Sequence, residues 1–158
     1  MFRGTYALSL DAKGRLAVPA RFRDDLRKIS GGSMVLTTSV GHDRFLLLYT
    51  LDEWEKLEQR LSGLSDFNPA ERAVKNVLLR NAEDLVLDGN GRFVIPARHR
   101  SYASLEKEVS LVGSGSHFEI WSSAVLASKE EEERKLLDGY DWSADENLKT
   151  FSFCSEQQ

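Results

Sequence analysis

Apolar and polar residues alternate on both sides of two short turns, which is the pattern of half-buried β-strands. The apolar positions are Tyr6, Leu8, Leu10, Leu16 and Val18 in the first segment, and Leu85, Leu87, Phe93 and Ile95 in the second. We predict that each segment folds as a β-hairpin closed at its turn. Pro19 and Pro96 end the second strand of each hairpin, because proline cannot donate a hydrogen bond to a ladder.

Both turns begin with Asp and carry Gly at the fourth position, a combination typical of a type I turn. The turn residues are 11–14 and 88–91, and an arginine follows each glycine directly. Gly14 and Gly91 are expected to have positive φ, a conformation that glycine adopts without steric cost.

The two segments are copies of one sequence unit. Residues 11–23 and 88–100 are identical at seven of thirteen positions, at a constant offset of 77. Leu16 and Val18 in the first copy correspond to Phe93 and Ile95 in the second, so the buried face keeps its apolar character. The chain is therefore organised as an internal repeat of roughly 45 residues per unit.

Capping signals predict helices between and after the units. Thr50 with Glu53 forms a capping box before Trp54, and Asn68 with Pro69 begins a second helix. A third helix is predicted from residue 123 to about residue 137, with its run of four glutamates exposed, and no period is evident in residues 138–158. We assign residues 5–52 to the first repeat, 53–80 to a helical linker, 81–124 to the second repeat, and 125–158 to a C-terminal helix and acidic tail.

Charge is unevenly distributed. The net charge is -4, yet residues 1–28 carry seven basic and three acidic groups, whereas residues 129–158 carry four basic and nine acidic groups. The N-terminal part is thus a basic region in an acidic protein, which is compatible with a nucleic-acid partner.

Several classes of protein receive no support from the sequence. There is no apolar stretch of about 20 residues that could span a membrane, and no secretion signal is evident. The only cysteine, Cys154, excludes an intramolecular disulfide, so we expect a cytoplasmic protein. The histidines (His42, His99 and His117) lack ligand spacing, so neither a metal, a cofactor nor a small-molecule substrate is predicted.

The arginines beside the turns have two interpretations. They could simply flank a turn at the surface, since the fold alone explains why the repeat retains Asp, Gly and Pro. Three arginine positions are also retained, however, and a surface charge beside a turn need not be arginine; they are Arg15/Arg92, Arg21/Arg98 and Arg23/Arg100. The planar guanidinium suits phosphate oxygens and the O6/N7 edge of guanine, so the retained arginines favour DNA binding.

The aspartates are interpreted as positioning residues. Asp11 and Asp88 are poor DNA ligands and would instead accept turn amides or orient the neighbouring arginine. A catalytic carboxylate pair is disfavoured, because adjacent Lys and Arg keep both acids ionised. We therefore expect no enzymatic activity.

The duplicated Asp-x-x-x-Arg followed by Pro-Ala-Arg resembles the MraZ family of the SpoVT/AbrB superfamily. The resemblance extends from the start Met1-Phe2-Arg3-Gly4, through Leu47-Leu48-Tyr49 and the linker at Asn68-Pro69-Ala70-Glu71-Arg72, to Glu108-Val109-Ser110-Leu111-Val112-Gly113. It implies an α+β fold with a duplicated swapped-hairpin β-barrel and flanking helices, assembled as a ring-shaped homo-oligomer. It also implies a nucleoid-associated repressor of its own promoter and of the division and cell-wall gene cluster, acting through short direct repeats in double-stranded DNA.

On this resemblance the DNA-contacting positions are the two turns with their arginines: Lys13, Gly14 and Arg15 in the first copy, and Asn90, Gly91 and Arg92 in the second. Arg3 and Arg21 are candidates for additional phosphate contacts. Because Asn90 replaces Lys13, the two turns need not bind DNA equally, and Arg15 is the first candidate for a base contact. The alternative is an oligomeric interaction module, such as an antitoxin-like partner binder, since related hairpin-barrel proteins include antitoxins.

Overall fold

The computed structural model describes residues 1–154, which form an α+β structure as predicted. The strands are β1 (Phe2–Ser9), β2 (Arg15–Ala17), β3 (Ser33–Thr38), β4 (Leu46–Thr50), β5 (Glu83–Val86), β6 (Arg92–Val94), β7 (Glu108–Gly115) and β8 (Phe118–Ser122). The helices are α1 (Ala20–Ser30), α2 (Leu51–Ser62), α3 (Pro69–Arg80), α4 (Ala97–Tyr102) and α5 (Ser123–Leu137). One compact unit comprises Met1–Ser123, and a second begins at Ala124.

Strands of the two repeats pair with one another in the first unit. A six-stranded antiparallel sheet has the order β1-β7-β8-β4-β3-β5, and a separate two-stranded ribbon consists of β2 and β6. The first repeat contributes β1 to β4, and their equivalents in the second repeat are β5 to β8. Replacing each strand of the sheet by its equivalent gives the same strand order, read from the opposite edge. Four pairings, β1–β7, β5–β3, β4–β8 and β2–β6, therefore join one repeat to the other.

The predicted hairpin pairing is wrong. β1 does not form a ladder with β2; it pairs along its whole length with β7, from Phe2 opposite Gly115 to Ser9 opposite Glu108. The hairpins within a repeat are instead β3–β4 and β7–β8. Strand alternation specifies which face is buried but carries no information about the neighbouring strand, so the sequence predicted β1, β2, β5 and β6 and misassigned their partners.

The buried faces agree with the predicted alternation. Leu16, Val18, Phe93 and Ile95 are all buried in one hydrophobic core together with residues from the six-stranded sheet. Aromatic contacts consolidate this core, since the rings of Phe22 and Phe118 meet edge to face with centroids 5.1 Å apart. The ribbon is thus held to the sheet by its apolar face.

The predicted caps of α2 and α3 are confirmed. Thr50 Oγ1 accepts from Glu53 N at 3.3 Å, and Asn68 Oδ1 accepts from Ala70 N and Glu71 N at 3.0 and 3.1 Å. The apolar residues of α3 are only partly buried. Leu78 is buried, whereas Ala73 and Val74 are exposed.

Two helices, α1 and α4, were not predicted. Each follows directly on the proline that ends a ribbon strand. In α1, Phe22 and Leu26 are buried one turn apart, and Gly31 closes the helix with a φ of 64°. For α1 the sequence therefore contained a signal, an apolar pair at i and i+4 followed by glycine.

The C-terminal helix α5 has the predicted bounds, and Glu130–Glu133 are exposed as expected. The residues after it, in which no period was evident, contain 3₁₀ turns at Trp142–Ala144 and Lys149–Cys154. Asp141 caps the first of these turns by accepting from Ser143 N at 3.1 Å. The prediction for residues 155–158 lies outside the described residues. None of the helices within residues 1–154 is long and apolar enough to cross a membrane.

Candidate nucleic-acid interface

The first turn, residues 11–14 (loop 1), is organised by its aspartate. Gly14 N donates to Asp11 O at 3.0 Å, closing the turn, and Gly14 has a φ of 76°. Asp11 Oδ1 accepts from the backbone N of Lys13 and of Arg15, both at 2.9 Å, while Asp11 Oδ2 accepts from Arg15 Nε at 2.6 Å. One carboxylate therefore fixes both the loop backbone and the guanidinium that follows it.

The second turn, residues 88–91 (loop 2), repeats this arrangement. Gly91 N donates to Asp88 O at 3.0 Å with a φ of 73° at Gly91, and Asp88 Oδ1 accepts from Asn90 N and Arg92 N at 2.8 and 2.9 Å. The bond from Arg92 Nε to Asp88 Oδ2 is longer, at 3.3 Å. Arg92 is accordingly held less tightly by its aspartate than Arg15 is.

These bonds shift the acidity of both aspartates. The backbone hydrogen bond from Arg15, together with its side-chain bond, lowers the pKa of Asp11 from 3.8 to about 2. The pKa of Asp88 is also lowered, chiefly by the backbone hydrogen bond from Arg92. Both carboxylates are consequently ionised at neutral pH and act as hydrogen-bond acceptors, which leaves no role for them as proton donors.

The ribbon places the two arginines on one surface. In the β2–β6 register Arg15 lies opposite Val94, and Ala17 lies opposite Arg92. Because side chains alternate along a strand, these four residues share the face opposite the buried pair Leu16 and Phe93. Diagonal neighbours in such a ladder are roughly 7–8 Å apart. The outer face thus presents two arginines with Ala17 and an exposed Val94 between them.

Each arginine retains donors for a ligand. Arg15 and Arg92 each donate a hydrogen bond to the aspartate through Nε, and among the atoms that the structure describes no acceptor takes a hydrogen bond from the terminal Nη atoms of either guanidinium. A guanidinium has five N–H donors in a planar fork, so four remain on each. The edge formed by Nη1 and Nη2, which can make two parallel hydrogen bonds, is therefore left for a ligand.

The remaining predicted residues lie in the loops, in α1 and in β1. Lys13 and Asn90 are exposed at equivalent positions of the two loops. Arg21 is exposed, but its Nη1 donates to the Tyr6 hydroxyl at 2.9 Å and its guanidinium lies over the Phe22 ring. Arg3 is exposed on β1, opposite Ser114.

Sequence reasoning missed the role of two other retained arginines. Arg23 packs against Gly91, and Arg100 packs against Gly14, so a Cβ on either glycine would lie within 3 Å of the arginine. From the sequence alone, the retention of these arginines favours DNA binding. For Arg23 and Arg100, packing against a glycine of the other repeat also explains the retention. Their retention at the offset of 77 was the available signal, but it did not show which loop each one contacts.

Comparison with known proteins identifies the class. The family model described as "MraZ protein, putative antitoxin-like" matches residues 1–77 and 78–135. The chain is 44% identical over 152 residues to the transcriptional regulator MraZ of Tolumonas auensis, covering 96% of this chain and 99% of that protein. It is 43% identical over 152 residues to the protein of that name from Shewanella frigidimarina, with the same coverage. Identity to the Yersinia enterocolitica protein of that name is 52% over 121 residues, covering 77% of this chain and 79% of that protein.

An α+β chain this similar to proteins described as transcriptional regulators is itself a transcriptional regulator and not an enzyme. It belongs to the MraZ family.

Proposed function

We propose that this regulator binds double-stranded DNA sequence-specifically through the outer face of the β2–β6 ribbon, with loop 1 and loop 2 at its two ends. The observation that carries the proposal is the orientation of Arg15, whose Nε is bound by Asp11 while its Nη atoms stay available. A two-stranded ribbon fits the major groove, where an arginine fork matches guanine O6 and N7.

Each part of the outer face has a role in this proposal. Arg15 contacts a base and Arg92 a base or phosphate, and the exposed loop residues Lys13 and Asn90 flank these contacts. Gly14 and Gly91 let the backbone turn closely beneath the ligand, while Asp11 and Asp88 hold the arginines in place. Arg3, on β1, and Arg21, on α1, contact phosphates outside this face. The apolar surface of Ala17 and Val94 suits a thymine methyl group.

We further propose that the regulator represses its own promoter and the division and cell-wall gene cluster behind it, acting at the nucleoid through short upstream direct repeats. The family resemblance supports a ring of subunits with swapped-hairpin barrels, and the pairing of every ribbon strand with the other repeat is consistent with such an exchange. A ring compensates for the net negative charge, because several modest sites that bind successive repeats raise the effective concentration of each contact.

The test is a gel-shift titration of the full chain with DNA from immediately upstream of its own gene. Arg15→Ala should abolish the specific shift, since a lost bidentate contact weakens discrimination by about 1–3 kcal/mol in every subunit that binds. Arg80→Ala, which removes an exposed arginine at the end of α3, is the matched control. Size-exclusion chromatography should show the same oligomer for all three proteins. Equal retardation of Arg15→Ala and the parent protein would refute the proposal.

A second candidate function is favoured by the antitoxin-like description of the family model. In that case the outer face of the β2–β6 ribbon would bind a protein partner instead of DNA. Salt separates the two, because DNA affinity falls steeply as salt rises whereas an apolar protein interface responds weakly.

A further inference from the structure

Each loop is covered by an arginine from the other repeat. A Cβ built on Gly91 would lie 2.5 Å from Cδ and Nε of Arg23, which belongs to α1 of the first repeat. A Cβ on Gly14 would lie 2.8 Å from Cζ of Arg100, which belongs to α4 of the second repeat. Both glycines are buried although the loops around them are exposed. The helix of one repeat therefore forms the support for the loop of the other.

Hydrogen bonds strengthen this support at loop 2. Arg27 Nη2 donates to Asp88 O at 3.2 Å and to Gly89 O at 3.4 Å. The same Asp88 oxygen accepts the turn-closing bond from Gly91 N. Arg27 thus binds loop 2 at the atom on which its turn depends. Arg23 is itself fixed, because its Nε donates to Val18 O at 2.7 Å.

Loop 1 lacks the equivalent bonds. The position 77 residues after Arg27 is Ser104, which is too short to reach a loop in this way. Within residues 1–154, Arg100 Nε is buried without a hydrogen-bond partner, in contrast to Arg23 Nε. A cavity of about 530 Å³ adjoins loop 1, lined in part by Asp11, Ala12 and Arg100. Both loops accept one backbone bond from the other repeat, at 2.8 Å from Ile95 N to Gly14 O and at 2.9 Å from Val18 N to Gly91 O. The bonds from Arg27 are therefore what distinguishes the support of loop 2 from that of loop 1.

We propose that Arg23 and Arg27 of α1 are positioning residues that hold loop 2 in its DNA-binding geometry across the repeat boundary, while loop 1, which has no counterpart of the Arg27 bonds, adjusts more freely. This inference rests on the proposed DNA-binding function of the loops. It assigns α1 to loop 2 and not to the loop that precedes α1 in sequence.

Amide hydrogen exchange of the full chain without DNA tests the positioning directly. Arg27→Ala should accelerate exchange at the Gly91 and Arg92 amides about fivefold, since both of its long, solvent-exposed bonds to the turn are lost. The Lys13 and Arg15 amides of loop 1 should not change. Lys28→Ala, which removes a neighbouring exposed charge, should leave both loops unchanged. Unaltered loop 2 exchange in Arg27→Ala would overturn the proposal.

A direct phosphate contact by Arg27 is the competing explanation, and DNA binding across a salt series separates the two. A positioning role predicts weaker binding by Arg27→Ala at every salt concentration, with an unchanged slope of log affinity against log salt. Arg27→Lys should restore binding only in part, because an ammonium lacks the guanidinium geometry. A slope smaller by about 1, with full rescue by lysine, would show a phosphate contact and overturn the proposal.

The two experiments fail independently. If the unsubstituted protein does not bind the upstream DNA, the proposed function fails and so does the DNA-binding part of this inference. The exchange measurement still decides whether α1 holds loop 2.

Discussion

Substitution of Gly91 should disrupt the contact by which the first repeat supports loop 2. It combines a φ of 73° with the close approach of Arg23. Gly91→Ala therefore introduces two separate penalties, one in the backbone and one between side chains.

The backbone penalty follows from the left-handed conformation, which costs a residue with a Cβ about 1–2 kcal/mol. The second penalty follows from the 2.5 Å approach of the new methyl group to Arg23 Cδ and Nε, because these atoms lie in the middle of the side chain and cannot move aside alone. Displacing Arg23 also breaks its bond to Val18 O, and a hydrogen bond from a charged group is worth about 1.5–3 kcal/mol. We expect Gly91→Ala to lower the free energy of unfolding by roughly 2.5–5 kcal/mol in total.

A double-mutant cycle separates the two penalties by urea denaturation. In an Arg23→Ala background the clash is absent, so Gly91→Ala should cost only the backbone part of about 1–2 kcal/mol. Gly89→Ala is the control within the same loop, since nothing lies within 4 Å of an added Cβ there and its φ is not left-handed; it should not destabilise the protein. An equal cost of Gly91→Ala with and without Arg23 would refute the reasoning.

Three further predictions concern the loop, the ribbon and a helix cap. The backbone amides of Lys13 and Arg15 should titrate with the Asp11 pKa of about 2 in NMR spectra. Because this pKa lies below the unfolded value of 3.8, the stabilisation from Asp11 is fully present above pH 4 and is lost as pH falls towards 2; titration near 4 would contradict it. Phe93→Ala, which empties a buried ribbon position, should cost about 3–5 kcal/mol in urea unfolding, whereas Val94→Ala on the outer face should cost far less. Asn68→Ala should cost about 0.5–2 kcal/mol through the lost cap of α3, and an unchanged unfolding midpoint would exclude that role.

Interactions between residues that are close in sequence could be predicted. The Asp-x-x-Gly-Arg spacing specified both turns and the positive φ of Gly14 and Gly91, since these depend on local backbone geometry. The caps at Thr50 and Asn68 were predictable for the same reason. The candidate arginines could be named from the repeat, because their retention stands out against freely varying surface positions.

The sequence by itself determined the turns, the caps, the buried faces of the four strands beside the turns and the existence of two copies, because each of these depends on residue type at short range. Only the tertiary structure decided that β2 pairs with β6, that β1 pairs with β7, and that Arg23 covers Gly91 instead of a glycine in its own repeat. Backbone hydrogen bonds are chemically the same whichever strand supplies them, and two similar repeats offer each strand two similar partners. The choice therefore depends on how both copies bury their apolar faces in one core, which no local pattern records.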